Sequence, residues 1–359
     1  MKGVSPFLKK VVYPSLAATG FFRWIAAEGL AVVTYHGVLP QGYESVDSGF
    51  DGNLVTAQAL RQQLRLLKAK YSVISPQEMR EWLQGRRKLP RHAVLLTCDD
   101  GLLNNLTDML PILREEALPC LFFVTGASAG ETRANLWYEE LFLMFLGARE
   151  GTFEISCDGF SIQGELTLRE QRRTTWWESV KRLSQVDNES RQSFLRAARV
   201  HFGLEAWQPC ADEKLASCQR FGLMTAPELR RLVAAGMTIG AHTMSHPMLS
   251  QAPPKLACAE ILESGMRLEA ALGERPWAFA YPFGDAQSVT PEVLKMPKES
   301  GYDAAFMNFG GGLGADLPAF ALPRIHVTAD MSLAEFEGHV SGFYGWLQRR
   351  AGRTAAVVV

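Results

Sequence analysis

At 359 residues and 47% hydrophobic content, the chain holds enough apolar sequence to bury one large core or two smaller ones. A net charge of −1 argues against a surface for nucleic acid or another polyanion as the main theme of the chain. The six cysteines (Cys98, Cys120, Cys157, Cys210, Cys218, Cys258) make no CxxC pair, and the apolar runs around Cys98 and Cys120 point to reduced, buried thiols.

Lys2, Lys9 and Lys10 precede an apolar-leaning run over 11–22, the outline of a secretory leader. Pro14 interrupts that run, Arg23 closes it, and no small-residue cleavage site follows. Residues 1–30 are therefore expected to form an amphipathic lead-in helix lying on the domain, or on a membrane surface as a peripheral contact. No run is long enough to span a bilayer, and the expected compartment is the cytoplasm.

Residues 31–38 (AVVTYHGV) read as the first strand, ending at His36, where a lone histidine is expected to be structural. After a polar loop over 42–53, a helix over 56–70 has Thr56 as its N-cap and Leu60, Leu64 and Leu67 on one face. A short strand over 71–75 follows, and Ser75 caps a helix that opens on Pro76 and stops at Gly85. Residues 93–98 (AVLLTC) are a buried strand ending on Asp99, Asp100 and Gly101. A helix carrying Pro111 is expected over 105–116, then another buried strand over 119–125. This alternation, filling a first part over 31–130, implies parallel strands with helices outside.

Over 131–221 the alternation breaks. Residues 135–145 are apolar and aromatic, 153–162 suggest a hairpin around Asp158-Gly159, and 167–198 are charged and helical. Trp137, Trp176, Trp177 and Trp207 all lie here, so the segment reads as an inserted, α-rich subdomain. The alternation resumes over 222–359. A helix capped by Thr225 stops at Gly236, and a strand over 237–241 delivers His242 and His246. Next come a helix over 256–272, a strand over 277–280 ending in Tyr281-Pro282-Phe283-Gly284-Asp285, and a helix over 291–300. A strand over 302–307, a glycine loop over 310–314, a strand within 321–327 and a tail helix over 333–348 complete the chain.

Chemistry-bearing residues collect at the ends of these strands. Adjacent side chains point in different directions, so one of Asp99 and Asp100 can hold a metal while the other faces water. His242 and His246 are four apart, and a helical or compact turn can aim both imidazoles at one ion. Carboxylate and imidazole groups at strand carboxyl ends are how parallel α/β folds build active sites.

VLLTCDDG, IGAHTMSHP and FAYPFG, in that order, resemble the motifs of the polysaccharide deacetylase family, the NodB-homology group or carbohydrate esterase family four. The resemblance covers 31–130 and 222–327. It implies a distorted (β/α) barrel with fewer than eight strands, and metal-dependent removal of N- or O-acetyl groups, N-acetyl above all, from an N-acetylated carbohydrate. By motif, Asp99 matches the catalytic base, and Asp100, His242 and His246 match the ligands of a divalent metal, Zn²⁺ first, with Co²⁺, Ni²⁺ or Mn²⁺ as alternatives. Phe283, beside Tyr281, matches the position whose backbone N–H holds the oxyanion. Cys98 stands where the family has Phe, and Ala280 where many members have an Arg that orients the base. The last His motif is altered, leaving His326 as the candidate acid and Arg324, on the same strand face, as the substitute guanidinium. Two other readings are a non-catalytic carbohydrate-binding relative and a metal-dependent amidohydrolase acting on a small amide.

Overall fold

The computed structural model describes residues 6–25, 29–157, 159–203, 216–285, 287–310 and 317–350. Trp207, Cys210, Asp158 and the loop over 311–314 lie outside the described residues. The strands of the body are β1 (Leu30–Tyr35), β2 (Ser72–Ile74), β3 (Ala93–Cys98) and β4 (Leu121–Val124), and later β7 (Thr238–Ala241), β8 (Ala278–Ala280), β9 (Ala304–Gly310) and β10 (Leu322–His326). Between them the hairpin β5 (Thr152–Cys157) and β6 (Phe160–Glu165) stands apart.

All body strands are parallel, in the order β1-β10-β9-β8-β7-β4-β3, and β3 returns to pair with β1. Seven strands thus close a barrel. The edge of β3 away from β1 is shared: its first half pairs with β2 and its second with β4. Alternation along each strand sorts the side chains. Leu30 and Val32, Ala93 and Leu95, Leu121 and Phe123, Ala278 and Ala280, Ala304 and Phe306 fill the barrel. Their neighbours Val33, Leu96, Phe122, Ile239, Phe279 and Ile325 face outward against helical residues such as Leu60, Leu64, Leu229 and Ile261. Each such side chain contributes roughly 1.5–3 kcal/mol on burial.

The helices end much as their caps dictate. Thr56 accepts from the Ala59 N–H, and Ser75 with Glu78 and Thr225 with Glu228 form capping boxes. Several helices differ from expectation: the one expected over 291–300 is a 3-10 turn, Val293–Lys295, followed by Met296–Glu299, and two others are broken by an identifiable residue. The one over 105–116 opens as a wide π turn, Asn105–Met109, before Leu110–Glu115, because Pro111 has no N–H to close an ordinary turn. The tail is two helices, Leu333–Val340 and Phe343–Arg350, broken at Gly342, whose φ of 82° lies in the left-handed region.

The lead-in is three short helical pieces, Leu8–Val12, Tyr13–Ala18 and Phe21–Ile25, packed on the tail through Tyr13, Phe22 and Phe343. No helix among the described residues is long and apolar enough to cross a membrane. The segment over 131–221 has a core of its own: Leu141 and Phe145 from helix Trp137–Gly147, Phe153 and Ile162 from the hairpin, Val180 from Arg169–Leu183, and Phe194 from Asn188–His201.

Candidate active site

Inward positions at the carboxyl ends of the strands carry the polar groups. Continuing the alternation that puts Leu95 inside brings Thr97 and then Asp99 into the barrel mouth, and the same logic on β1 brings Thr34 and His36 there. Asp100 would face outward if β3 continued. Instead it takes a left-handed conformation, φ 77°, and Gly101 follows at φ 80°, so the chain doubles back and Asp100 is buried beside its neighbour.

His242 follows β7 directly, its N–H bonded to the carbonyl of Val124 on β4. The two histidines are joined by a compact turn, with Thr243 and His246 both left-handed (φ 62° and 60°) and the His246 N–H donating to Thr243 Oγ1 at 3.0 Å. Ser245 within that turn is held by Glu260, which accepts from its N–H at 2.8 Å and its hydroxyl at 2.5 Å. Four strained non-glycine residues, counting Phe283 at φ 60°, therefore collect at one site. Such strain persists where the surroundings enforce it.

The structure brings Asp100, His242 and His246 together. Asp100 Oδ1 lies 3.5 Å from His242 Nε2 and 3.3 Å from His246 Nε2, and the three donor atoms fall within 4.8 Å of one another. His242 Nδ1 lies 2.7 Å from the carbonyl oxygen of Ala280. A carbonyl only accepts, so Nδ1 carries the proton and Nε2 offers its lone pair toward Asp100. Burial pushes the His246 imidazole down. Burial acts to raise the Asp100 carboxyl, yet its close contacts with the His242 and His246 imidazoles carry it well below the ordinary carboxylate range. An ionised carboxylate and a neutral imidazole are the metal-binding forms, and this donor set suits a divalent ion with nitrogen and oxygen ligands.

Asp99 has a different partner. Arg324 on β10 donates from Nη1 to Oδ1 at 2.7 Å and from Nη2 to Oδ2 at 2.5 Å, a bidentate pair. The guanidinium also donates to the Met307 carbonyl at 2.7 Å and lies 5.4 Å above the Phe123 ring. His326, on the same face of β10, packs its ring 4.8 Å from that of His36. Burial, then the neighbouring His36, drives its pKa down to about 3. At neutral pH that favours the uncharged imidazole, so acid work by His326 requires it to receive a proton first.

Alternation puts Ala280 inside and Tyr281 outside, where its hydroxyl donates to the Phe320 carbonyl at 2.9 Å and its ring packs on Phe279. Its phenol stands in the outer core. Phe283 stays at the site, its ring 4.9 Å from His246 and 5.7 Å from Tyr138.

Two site residues have a role unseen in the sequence. His36 acts electrostatically on both Asp99 and Asp100. Its parity with Val32 and Thr34 is the signal that places it inward. Tyr138, half-buried on the inserted segment, sets its ring 4.8 Å from His246. No periodicity within the chain announces that contact.

The family model for polysaccharide deacetylase matches residues 206–305, the stretch that contains His242 and His246. The poly-beta-1,6-N-acetyl-D-glucosamine N-deacetylase of Escherichia coli (strain K12) is 25% identical over 319 residues, covering 86% of this chain and 38% of that protein. The chain spans about two fifths of the length of the curated relatives it matches, 41% and 38% for two of them. In fold it resembles the Streptococcus pyogenes deacetylase PplD (TM-score 0.55, 18% identity, 87% of this chain and 98% of that one). It also resembles IcaB from Ammonifex degensii (TM-score 0.53, 20% identity, 88% and 98%). Motifs, family model and barrel agree: the chain is a relative of the polysaccharide deacetylases, with their NodB-type fold.

Proposed function

We propose that the protein is a metal-dependent hydrolase that removes acetyl groups, N-acetyl in particular, from a carbohydrate chain. The observation that carries this reading is the side-by-side placement of Asp100, His242 and His246 with the arginine-held Asp99. The E. coli relative named for poly-beta-1,6-N-acetyl-D-glucosamine supports a polymer of N-acetylated sugar as the substrate class. When bound by Asp100, His242 and His246, a divalent ion, Zn²⁺ first among the candidates, supplies Lewis acidity to the acetyl carbonyl and lowers the pKa of water.

The chain's own residues do the rest. Asp99, kept ionised by Arg324, accepts the proton of the attacking water. The Phe283 N–H is the donor assigned to the developing oxyanion by the motif, a kind of contact worth about 3 kcal/mol in a serine protease. An amide nitrogen leaves only when protonated, and the paired imidazoles of His36 and His326 stand beside Asp99 to relay that proton. Tyr138 and Phe283 offer aromatic faces to the sugar rings.

The test is acetate release from N-acetylglucosamine oligomers and polymer by protein stripped with chelator and reloaded with each metal. Release that depends on metal and vanishes in Asp99→Asn, with metal content unchanged, is the expected result. Loss of metal in Asp99→Asn would mean that the two carboxylates have exchanged roles. Metal-replete protein that binds glycans without releasing acetate would be a non-catalytic relative. Turnover of small amides alone would point to the amidohydrolase class.

A further inference from the structure

The first and last segments of the sequence are both basic and free of acids. Residues 1–27 contain Lys2, Lys9, Lys10 and Arg23 and no Asp or Glu. Residues 338–359 contain Arg349, Arg350 and Arg353 and again no acid, in a chain whose net charge is −1.

Folding brings residues 6–25 of the first and 338–350 of the second together. Tyr13 and Phe22 are buried against Phe343, and an aromatic ladder continues outward from that contact. Its centroid spacings are 5.9 Å from Trp24 to Phe21, 6.0 Å from Phe21 to Phe343, and 5.8 Å from Phe343 to Trp346. The inner rings are covered, while the two indoles at the ends stand open, Trp24 82% exposed and Trp346 43% exposed. The Arg350 guanidinium lies 4.8 Å over the Trp346 ring. On the lead-in, Phe7 (65% exposed) and Val11 (48%) lie close in sequence to exposed Lys10. Lys9 is engaged by Asp330 at 2.7 Å and Glu335 at 3.5 Å, which pins the lead-in to the body.

Open indole and phenyl rings gain from any apolar cover, so charge decides what that cover is. Two copies of a basic surface repel each other, whereas basic residues flanking Trp and Phe match a layer of anionic lipid headgroups. Indole itself favours the boundary between hydrocarbon and water. We propose that the packed N- and C-terminal segments form a peripheral binding surface for anionic membranes, with Trp24 and Trp346 entering at headgroup depth. No described helix can cross the bilayer, so the contact is interfacial and reversible. The proposal does not depend on the chemistry assigned to the barrel mouth.

Flotation of the full chain with phosphatidylcholine vesicles, with and without about 30 mol% phosphatidylglycerol, tests it. The expected result is co-flotation with the anionic vesicles only, a blue shift of tryptophan emission, and release by high salt. The Trp24→Ser/Trp346→Ser pair should weaken binding about tenfold or more, and Lys10→Glu/Arg350→Glu should do the same. All four positions are exposed, so circular dichroism of both variants should match the parent. The proposal is overturned if the chain floats with neither vesicle, if it floats equally with both, or if the tryptophan pair binds as the parent does. Self-association abolished by the tryptophan pair, without flotation, would overturn it in favour of a second copy of the chain.

Discussion

Asp99 and Arg324 lie far apart in the chain, yet they form the most consequential pair in the barrel. Burial alone raises the Asp99 carboxyl; the charge of Arg324 and the hydrogen bonds it donates outweigh that and hold the group below its usual range. A carboxylate depressed on folding adds stability above the ordinary carboxylate range and loses it as pH falls through the depressed value. Arg324→Ala leaves the burial without the cation. Its acidic limb of activity should move to higher pH, and stability at neutral pH should fall by about 3–5 kcal/mol in urea unfolding. An unmoved acidic limb would show that Arg324 does not keep the proton off Asp99. For Tyr138 the readout is KM: Tyr138→Ala should raise it about tenfold on a glycan, with metal content unchanged, while Tyr138→Phe should stay near the parent.

Strand alternation is what makes an active site out of a barrel end. Along β3 the inward side chains pass from Leu95 to Thr97 to Asp99, and along β10 from Leu322 to Arg324 and His326, so the reactive groups rest on a packed plug. Phe123 is the centre of that plug. Gly240 on β7 exists to admit it: a Cβ there would meet Phe123 Cδ1 at 2.5 Å and the Ala278 carbonyl oxygen at 3.2 Å. Gly240→Ala should therefore cost about 1–3 kcal/mol by overpacking, and it sits two residues before His242. Thermal unfolding combined with metal titration would register both effects. A variant as stable as the parent would show that Phe123 can move aside.

At the scale of the whole molecule, the inserted segment is coupled to the site rather than merely attached to the barrel. Arg191, fully buried, donates to the Ser245 hydroxyl at 2.7 Å and to the carbonyls of Leu183 and Val186 at 3.0 Å, with its guanidinium 4.8 Å over Trp137. Ser245 lies in the turn that aims His246. Arg220, in turn, ties Asp51 of the barrel loops (2.7 Å) to Glu139 of the insertion (2.9 Å). Arg191→Ala should weaken metal affinity about tenfold or more through this outer support, measured by chelator competition. Affinity equal to the parent's would mean that the turn holds itself.

The strand-end residues Asp99, Asp100, His242 and His246 and the alternation of strand and helix were legible in the sequence because both are local. A run of apolar β-formers, a cap or a turn is set by residues within a few positions of one another. The side of the barrel that a side chain faces is local too, once the strand is known, which is why Arg324 could be placed beside Asp99. What the tertiary structure alone decided is set by pairings between distant segments. Closure of β1 on both β3 and β10 turned His36 from an isolated histidine into a neighbour of the carboxylates. Docking of the insertion brought Tyr138 over His246, and burial, which no window of sequence reports, pushes the pKa of His326 down to about 3.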